Sequence, residues 1–352
     1  MTTPLGPPFK VAIVGLGYFS QFHQQSWRAI QKTDIVAVCD TDSERASAVA
    51  ADLGVSAYSD LDALLTAHDP DIVDIVAPPP AHRPLIERAA RPGRLIICQK
   101  PFCGTVENAA ATAQLASDAG ATVIVHENFR FQPWHRQIKD QITDGHLGRI
   151  YQARFILRPG DGRGADAYLA RQPGFQKMPR FLIFETAIHL IDLFGWLFGD
   201  IQAVYADIAR LNPVIAGEDT GTLLFDHAGG ARTLFDGNRL SDHISDDQRR
   251  TMGEFVIEGE GGTLRLDGYG HLFWRRFGSL EEQPIPVTYP IDDAVFGGGC
   301  VEALNRHAVD ALEGRHPFAN TAEAYVDIMR IVDAAYTSAD EQSKVQINAR
   351  KV

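Results

Sequence analysis

Short, almost unbroken apolar runs recur along the first third of the chain, at 10–14, 35–39, 72–77, 95–99 and 122–126. Runs of that length, rich in branched residues, read as strands buried on both faces. Between them the apolar positions recur at helical spacing, for example over 43–53 and 106–119. Strand and helix in alternation predict a parallel sheet with helices on both sides, doubly wound by right-handed crossovers. After about residue 148 the period changes to two. Strands are predicted at 151–157, 203–210, 221–225, 232–236, 254–258, 262–266 and 272–275, with turn clusters such as 226–230 and 259–262 between them. That succession predicts an α+β domain with a large, mostly antiparallel sheet. Two helical stretches, 300–312 and 321–339, close the chain. The expected fold class is α/β followed by α+β, with domains at 1–127 and 128–352. The stretch 159–179 is polar and aperiodic, and a loop of that length in a compact domain is usually functional or disordered.

Composition adds exclusions. The chain has 352 residues, 45% of them hydrophobic, enough for two medium domains. Lys and Arg number 33 against 45 Asp and Glu, a net charge of −12. A surface of that sign attracts neither nucleic acid nor anionic lipid. No apolar run reaches the roughly 20 residues that span a bilayer. The first eight residues are Pro-rich and unlike a signal peptide, so a cytoplasmic location is expected. Cys39, Cys98, Cys103 and Cys300 lack metal-ligand spacing, read as reduced core residues, and leave no metal site expected.

Ligands of open α/β sheets bind at the carboxyl ends of the strands. The first strand delivers Gly15-Leu16-Gly17-Tyr18-Phe19-Ser20 and the second ends on Asp40. Gly15 permits the turn, Gly17 lets backbone approach a pyrophosphate, and Ser20 stands for the usual third glycine. Asp40 lies where a carboxylate accepts from a ribose 2′-hydroxyl. Strand, glycine turn, helix, strand and acid in this order predict a Rossmann domain that binds a nicotinamide dinucleotide. NAD is expected over NADP, because Asp40 repels a 2′-phosphate. The third strand delivers Ala77, Pro78 and His82, the next Gln99-Lys100-Pro101, and the last His126-Glu127-Asn128-Phe129-Arg130. Lys100 directly follows a buried strand, which places it at a crevice mouth. The proline after it admits a cis bond.

The stretch 182–198 is almost wholly apolar apart from Glu185, His189 and Asp192. Their spacing, i, i+4, i+7, puts all three on one face of a regular helix. Such groups need partners or a wet site. Three readings stand: a core histidine satisfied by Glu185, a general base oriented by a carboxylate, or, for His-x-x-Asp, a metal fragment that lacks other convergent ligands of visible spacing.

These residues carry a resemblance. The chain is similar over nearly its whole length to the glucose–fructose oxidoreductase and inositol dehydrogenase family of NAD(P)-dependent sugar dehydrogenases. The family's glycine turn matches 15–20, with His23 following, and its Pro-x-x-x-His matches Pro78 to His82. Its Glu-Lys-Pro matches Gln99-Lys100-Pro101, and its Asp-x-x-x-His-x-x-Asp matches 185–192 with Glu185 in first place. The resemblance implies that Lys100 and His189 form the catalytic pair. A narrower likeness, to the bacterial branch containing D-apiose dehydrogenase, rests on 99–102, 126–132 and 212–220. It implies a branched pentose oxidised at its anomeric carbon.

On this reading His189 is the base, Lys100 assists at the same oxygen, and Glu185 orients the imidazole. Cofactor contacts are assigned to Gly15, Gly17, Tyr18, Phe19, Ser20, Asp40, Ala77, Pro78, His82, Gln99, Lys100 and Asn128. Substrate contacts are assigned to Lys100, Arg130, Asp161, Arg163, Tyr168, Arg180, His189 and Asp192. A reductase of a small carbonyl or imine remains an alternative, as does a dinucleotide-sensing regulator without catalysis. A homo-oligomer, with a dimer favoured over a tetramer, is expected from the second sheet. Phe225, Phe235, Phe255, Ile257, Phe273 and Trp274 offer more apolar surface than one face requires.

Overall fold

A computed structural model describes residues 8–347. The N-terminal unit comprises Met1–Glu127 together with Val301–Met329, and the second unit Asn128–Cys300 together with Arg330–Val352.

In the first unit strands and helices alternate. They are β1 (Phe9–Val14), α1 (Ser20–Ala29), β2 (Thr33–Cys39), α2 (Ser43–Leu53), β3 (Ser56–Tyr58), α3 (Leu61–His68), β4 (Ile72–Ile75), α4 (Pro79–Ala89), β5 (Leu95–Cys98), α5 (Val106–Asp118) and β6 (Thr122–Val125). All pairings are parallel and the order is β3-β2-β1-β4-β5-β6, the doubly wound order of a dinucleotide-binding sheet. The topological switch lies between β1 and β4, and there the carboxyl ends of the strands gather the glycine turn and Ala77. Side chains of Asp42, Asp60 and Thr105 cap α2, α3 and α5. Strand β3 was not among the expected strands. It is three residues long, lies at the sheet edge and has no buried residue, so it carries no apolar run to read.

The chain returns to this unit near its end, a step that a division at 127/128 alone does not contain. Asn305 donates to the buried Ser26 hydroxyl at 2.9 Å, and Lys32 pairs with Glu313. The Asn320 carbonyl accepts from the Val125 amide at 2.8 Å, extending β6 by one bridge. The fully buried Glu127 accepts from the Tyr325 hydroxyl at 3.0 Å, so the end of β6 is held by the return segment.

The second unit holds α6 (Pro133–Thr143), β7 (Ile150–Leu157), α7 (Ile188–Phe198), β8 (Ile201–Ala209), β9 (Thr220–His227), β10 (Arg232–Asn238), β11 (Gly253–Gly259), β12 (Gly262–Leu266), β13 (Leu272–Arg276) and β14 (Gln283–Ile285). Helices α8 (Cys300–Leu312) and α9 (Ala322–Glu341) and strand β15 (Val345–Gln346) follow. The sheet order is β14-β13-β12-β11-β7-β10-β9-β8-β15, antiparallel except for the β7–β10 pair. Side chains alternate cleanly between faces. Phe155, Phe225, Phe235, Phe255 and Ile257 are buried on the inner one. Phe194 of α7 packs on Phe225 and Phe255 with ring centroids 6.1 and 5.8 Å apart. This corrects the sequence argument for a surplus apolar face. Phe225, Phe235, Phe255 and Ile257 belong to this unit's own core, and only Phe273 and Trp274 remain half-buried.

Candidate active site

The first unit's site begins at the turn after β1. Gly15 has φ +88°, and a Cβ there would stand 2.7 Å from the Val76 carbonyl oxygen and 2.8 Å from the Ala77 nitrogen. Only glycine fits. Gly17 is different, because a Cβ there would meet no protein atom within 4 Å. Nothing in the protein's own packing calls for glycine at that position. Ser20 is buried and its hydroxyl donates to the Gly17 carbonyl at 2.7 Å, which closes the turn onto α1. Helix α1 starts without a side-chain cap, so its first amides have no side-chain acceptor. A glycine that the fold does not require, beside an uncapped helix start, fits a pyrophosphate. Tyr18 and Phe19 flank the turn, with Phe19 packed on Phe22 at 5.1 Å.

Asp40 is buried at the end of β2. Its Oδ2 accepts from the Leu16 amide at 2.7 Å and its Oδ1 from the Asp42 amide at 2.9 Å. Arg45 Nη1 lies 3.3 Å from both oxygens. Pro78 starts α4, and the fully buried His82 donates from Nε2 to the Ala77 carbonyl at 2.8 Å. Burial holds the His82 imidazole at a pKa of about 4. His82 therefore sits as a neutral brace beneath the strand end. Lys100 is partly exposed and precedes a cis bond to Pro101. Gln99, nearly buried, joins the Lys100 amide to His23 behind it.

In the second unit the expected helix 182–198 is two pieces. Leu182–Ala187 is a π-helical turn, and α7 begins at Ile188. π turns inside helices mark functional sites disproportionately. Glu218 builds this one: its Oε1 accepts from the Phe181 and Ile183 amides at 3.1 and 3.0 Å and from the Tyr336 hydroxyl at 2.5 Å. The regular i, i+4, i+7 face is thereby interrupted. Glu185 lies within the turn and accepts from Thr186 Oγ1 at 2.6 Å and from Arg239 Nη1 at 3.4 Å. His189 is on α7, 8% exposed, with its ring flat on Phe129 at 4.1 Å and an interplanar angle of 4°. Asp192 is buried and receives both arms of the Arg130 guanidinium. Those two predicted substrate residues are thus engaged with one another, a bidentate pair one turn beyond His189. Asn128 is buried, and its Oδ1 has no hydrogen-bond partner among the described residues.

The aperiodic loop is ordered by a residue that the sequence reading did not single out. Arg239, 1% exposed, donates to Asp161 at 2.9 and 3.2 Å and to Thr186 Oγ1 at 2.5 Å. Its guanidinium lies 5.1 Å from the Tyr168 ring and 4.7 Å from the Phe181 ring. Asp161 and Tyr168 thus point to Arg239, which also carries Glu185. Arg163 donates to the Leu240 carbonyl, and Arg180 pairs with Asp333 between the Phe184 and Tyr336 rings. Asp74, in the middle of β4, also escaped the sequence reading. Its signal was a lone acid inside an apolar strand. No cluster of three or more His, Cys, Asp or Glu residues suited to a metal ion occurs among the described residues.

Residues 9–127 match the family described as "Oxidoreductase family, NAD-binding Rossmann fold", and 135–265 match the GFO/IDH/MocA C-terminal domain. A D-apiose dehydrogenase of Paraburkholderia graminis is 33% identical over 99% of this chain and 92% of that protein. Another, from Rhizobium rhizogenes, is 29% identical over 97% of this chain and 98% of its own length. An oxidoreductase from Agrobacterium radiobacter, crystallised with NAD+, L-tartaric acid and magnesium, superposes with a TM-score of 0.87 at 28% identity, covering 96% of this chain and 98% of that one. The glycine turn fits NAD, the doubly wound order is the one such sheets use, and the similarity runs end to end: the chain belongs to the GFO/IDH/MocA family of NAD-binding oxidoreductases.

Proposed function

We propose that this enzyme oxidises a hydroxyl of a cyclic sugar or polyol, a pentose such as D-apiose at its anomeric carbon being the favoured substrate. The observation that carries the reading is His189: an imidazole laid flat on Phe129, on a helix apolar apart from it and Asp192, beside a π turn that holds a carboxylate. End-to-end similarity to two D-apiose dehydrogenases supports the substrate class. His189 takes the hydroxyl proton as the carbon–hydrogen bond breaks. Lys100 donates to the same oxygen and stabilises its developing negative charge. NAD, when bound, supplies the acceptor for the hydride. Gly15, Gly17, Ser20 and the α1 amides would hold its pyrophosphate, and Asp40 a ribose. Glu185, fixed by Thr186 and Arg239, keeps negative charge near the helix start that bears His189. The Arg130–Asp192 pair, one helical turn beyond His189, sets a partly exposed guanidinium where a sugar hydroxyl would be recognised.

The test is NAD reduction with a panel of pentoses, hexoses and inositols. Turnover with a pentose above the other classes is expected. No reduction with any sugar or polyol sinks the reading. Preference for an inositol or a hexose would keep the chemistry and discard the pentose.

A further inference from the structure

A chain of buried polar groups runs behind Lys100 in the first unit. Asp74 is fully buried in β4, between apolar neighbours. Its Oδ2 lies 2.8 Å from His23 Nδ1 and accepts from Trp27 Nε1 at 2.6 Å. His23, also fully buried, places Nε2 2.8 Å from Gln99 Nε2. The Gln99 Oε1 accepts from the Lys100 amide at 3.2 Å. His126 packs on the imidazole with ring centroids 4.2 Å apart, and Phe19 lies edge-on at 5.7 Å.

The directions of these bonds are determined by elimination. A backbone amide only donates, so the Gln99 atom facing Lys100 N is the carbonyl oxygen. The other end of the side chain is then the NH₂ group, which only donates. His23 Nε2 therefore accepts and carries no proton. The ring's one proton sits on Nδ1 and goes to Asp74. Flipping the amide would set NH₂ against the Lys100 N–H and leave two donors face to face.

We propose that Asp74, His23 and Gln99 form a positioning relay that holds the Lys100 peptide, with His23 fixed as the neutral Nδ1–H tautomer by the glutamine at 99. Gln99 is a positioning residue: it acts through the Lys100 backbone. A corollary is a one-proton exchange. A carboxylate at 99 offers only acceptors, so His23 Nε2 must gain a proton from solvent to meet it. Gln99→Glu therefore exchanges an amide and a neutral imidazole for a carboxylate and an imidazolium, and the relay's net charge is unchanged. The charged or titratable groups facing His23 are Asp74 from β4 and His126 after β6.

The experiment is ¹⁵N NMR of the full chain labelled at histidine, with NAD absent, the His23 signals being identified by their loss in His23→Gln. In the unsubstituted protein at pH 7, Nε2 should resonate as an unprotonated acceptor and Nδ1 as N–H. A proton on Nε2, or on both nitrogens, overturns the proposal. In Gln99→Glu both nitrogens should become protonated, and a neutral His23 there overturns it too. The kinetic arm rests on the proposed sugar oxidation. Gln99→Leu removes the acceptor of the Lys100 amide, and kcat should fall roughly fivefold to tenfold, the worth of one hydrogen bond, with KM for NAD unchanged. A raised KM with unchanged kcat would make Gln99 a cofactor contact instead and overturn the positioning role. Absence of any sugar turnover in the unsubstituted protein would sink the functional reading alone, since the tautomer is read without substrate.

Discussion

We predict that cofactor choice turns on Asp40. Two backbone amides fix the carboxylate at the end of β2, where it would accept from a free 2′-hydroxyl and repel a 2′-phosphate. Arg45 stands beside it, half-exposed, with Nη1 3.3 Å from Asp40 and Nη2 paired with Asp42 at 2.9 Å. Removing the Asp40 carboxylate opens the Nη1 side of that guanidinium to a phosphate, while Asp42 keeps the Nη2 side. Asp40→Ala should therefore shift the kcat/KM ratio towards NADP by about tenfold or more, one decade corresponding to about 1.4 kcal/mol. Adding Arg45→Ala should return part of the gain, and an unchanged ratio in the single variant would contradict the assignment. For the chemistry, Lys100→Ala and His189→Ala should each lower kcat by about 10² or more, the usual worth of a general acid or base. NAD affinity, measured by fluorescence titration, should barely move. Near-normal turnover in either variant would remove that residue from the mechanism. Glu185→Gln should lose less, since the amide can still accept from Arg239. These residues were legible because each breaks a local pattern: a glycine turn after a strand, a lysine after a buried run, a histidine on an apolar helix. Arg239 was not legible. At the end of a strand it reads as a solvated cation, and only the folded loop around Tyr168 and Phe181 shows it buried.

At the level of elements, two helices start over a buried neutral histidine. His82 braces the Ala77 carbonyl at the start of α4, and His135 in α6 donates from Nδ1 to the Phe129 carbonyl at 2.8 Å. Burial lowers both to a pKa of about 4 from 6.5. The unfolded chain binds protons at these residues near pH 6.5, whereas the folded one does so only near 4. Their contribution is thus fully present above about pH 6.5 and is lost as pH falls towards 4. The gap corresponds to roughly 3 kcal/mol per histidine at most. The urea midpoint should fall steadily between pH 7 and 5, and less steeply in His82→Asn. A midpoint constant over that range would count against buried neutral histidines. The same level explains what the sequence reading missed. Periodicity locates an apolar helix at 182–198, yet it cannot register that Glu218, far along the chain, takes the Phe181 and Ile183 amides and opens the first turn into a π-helix. Periodicity likewise says nothing of the return of 301–329 to the first unit, where Asn305 and Tyr325 bond to Ser26 and Glu127 and the backbone at 320–321 bridges to β6.

For the whole molecule the open question is what covers the second sheet. Its inner face is filled by α7 and by Phe155, Phe225, Phe235 and Phe255. The opposite face presents a continuous row across seven strands: Tyr205, Leu224, Leu234, Arg154, Val256, Arg265 and Phe273 are successive register partners. Five of the seven are apolar or aromatic, and none is buried. Arg265 lies 4.3 Å from the Phe273 ring, so one of the row's two cations already covers an aromatic face. A band of this kind, five apolar or aromatic side chains with two arginines and no acid, has the aromatic and arginine enrichment of an interface between copies. Two sheets packed through it would bury the branched side chains at roughly 25 cal/mol per Å² of apolar area, before association costs. We therefore predict a homodimer joined through this face, the structure offering one such band on the sheet. Sedimentation at micromolar concentration should give twice the 38.6 kDa of one chain. Val256→Arg, which sets a third cation between Arg154 and Arg265, should shift the species to the monomer without loss of fold by circular dichroism. A monomer in the unsubstituted protein would end the proposal, and a tetramer would require a second surface that the row does not supply.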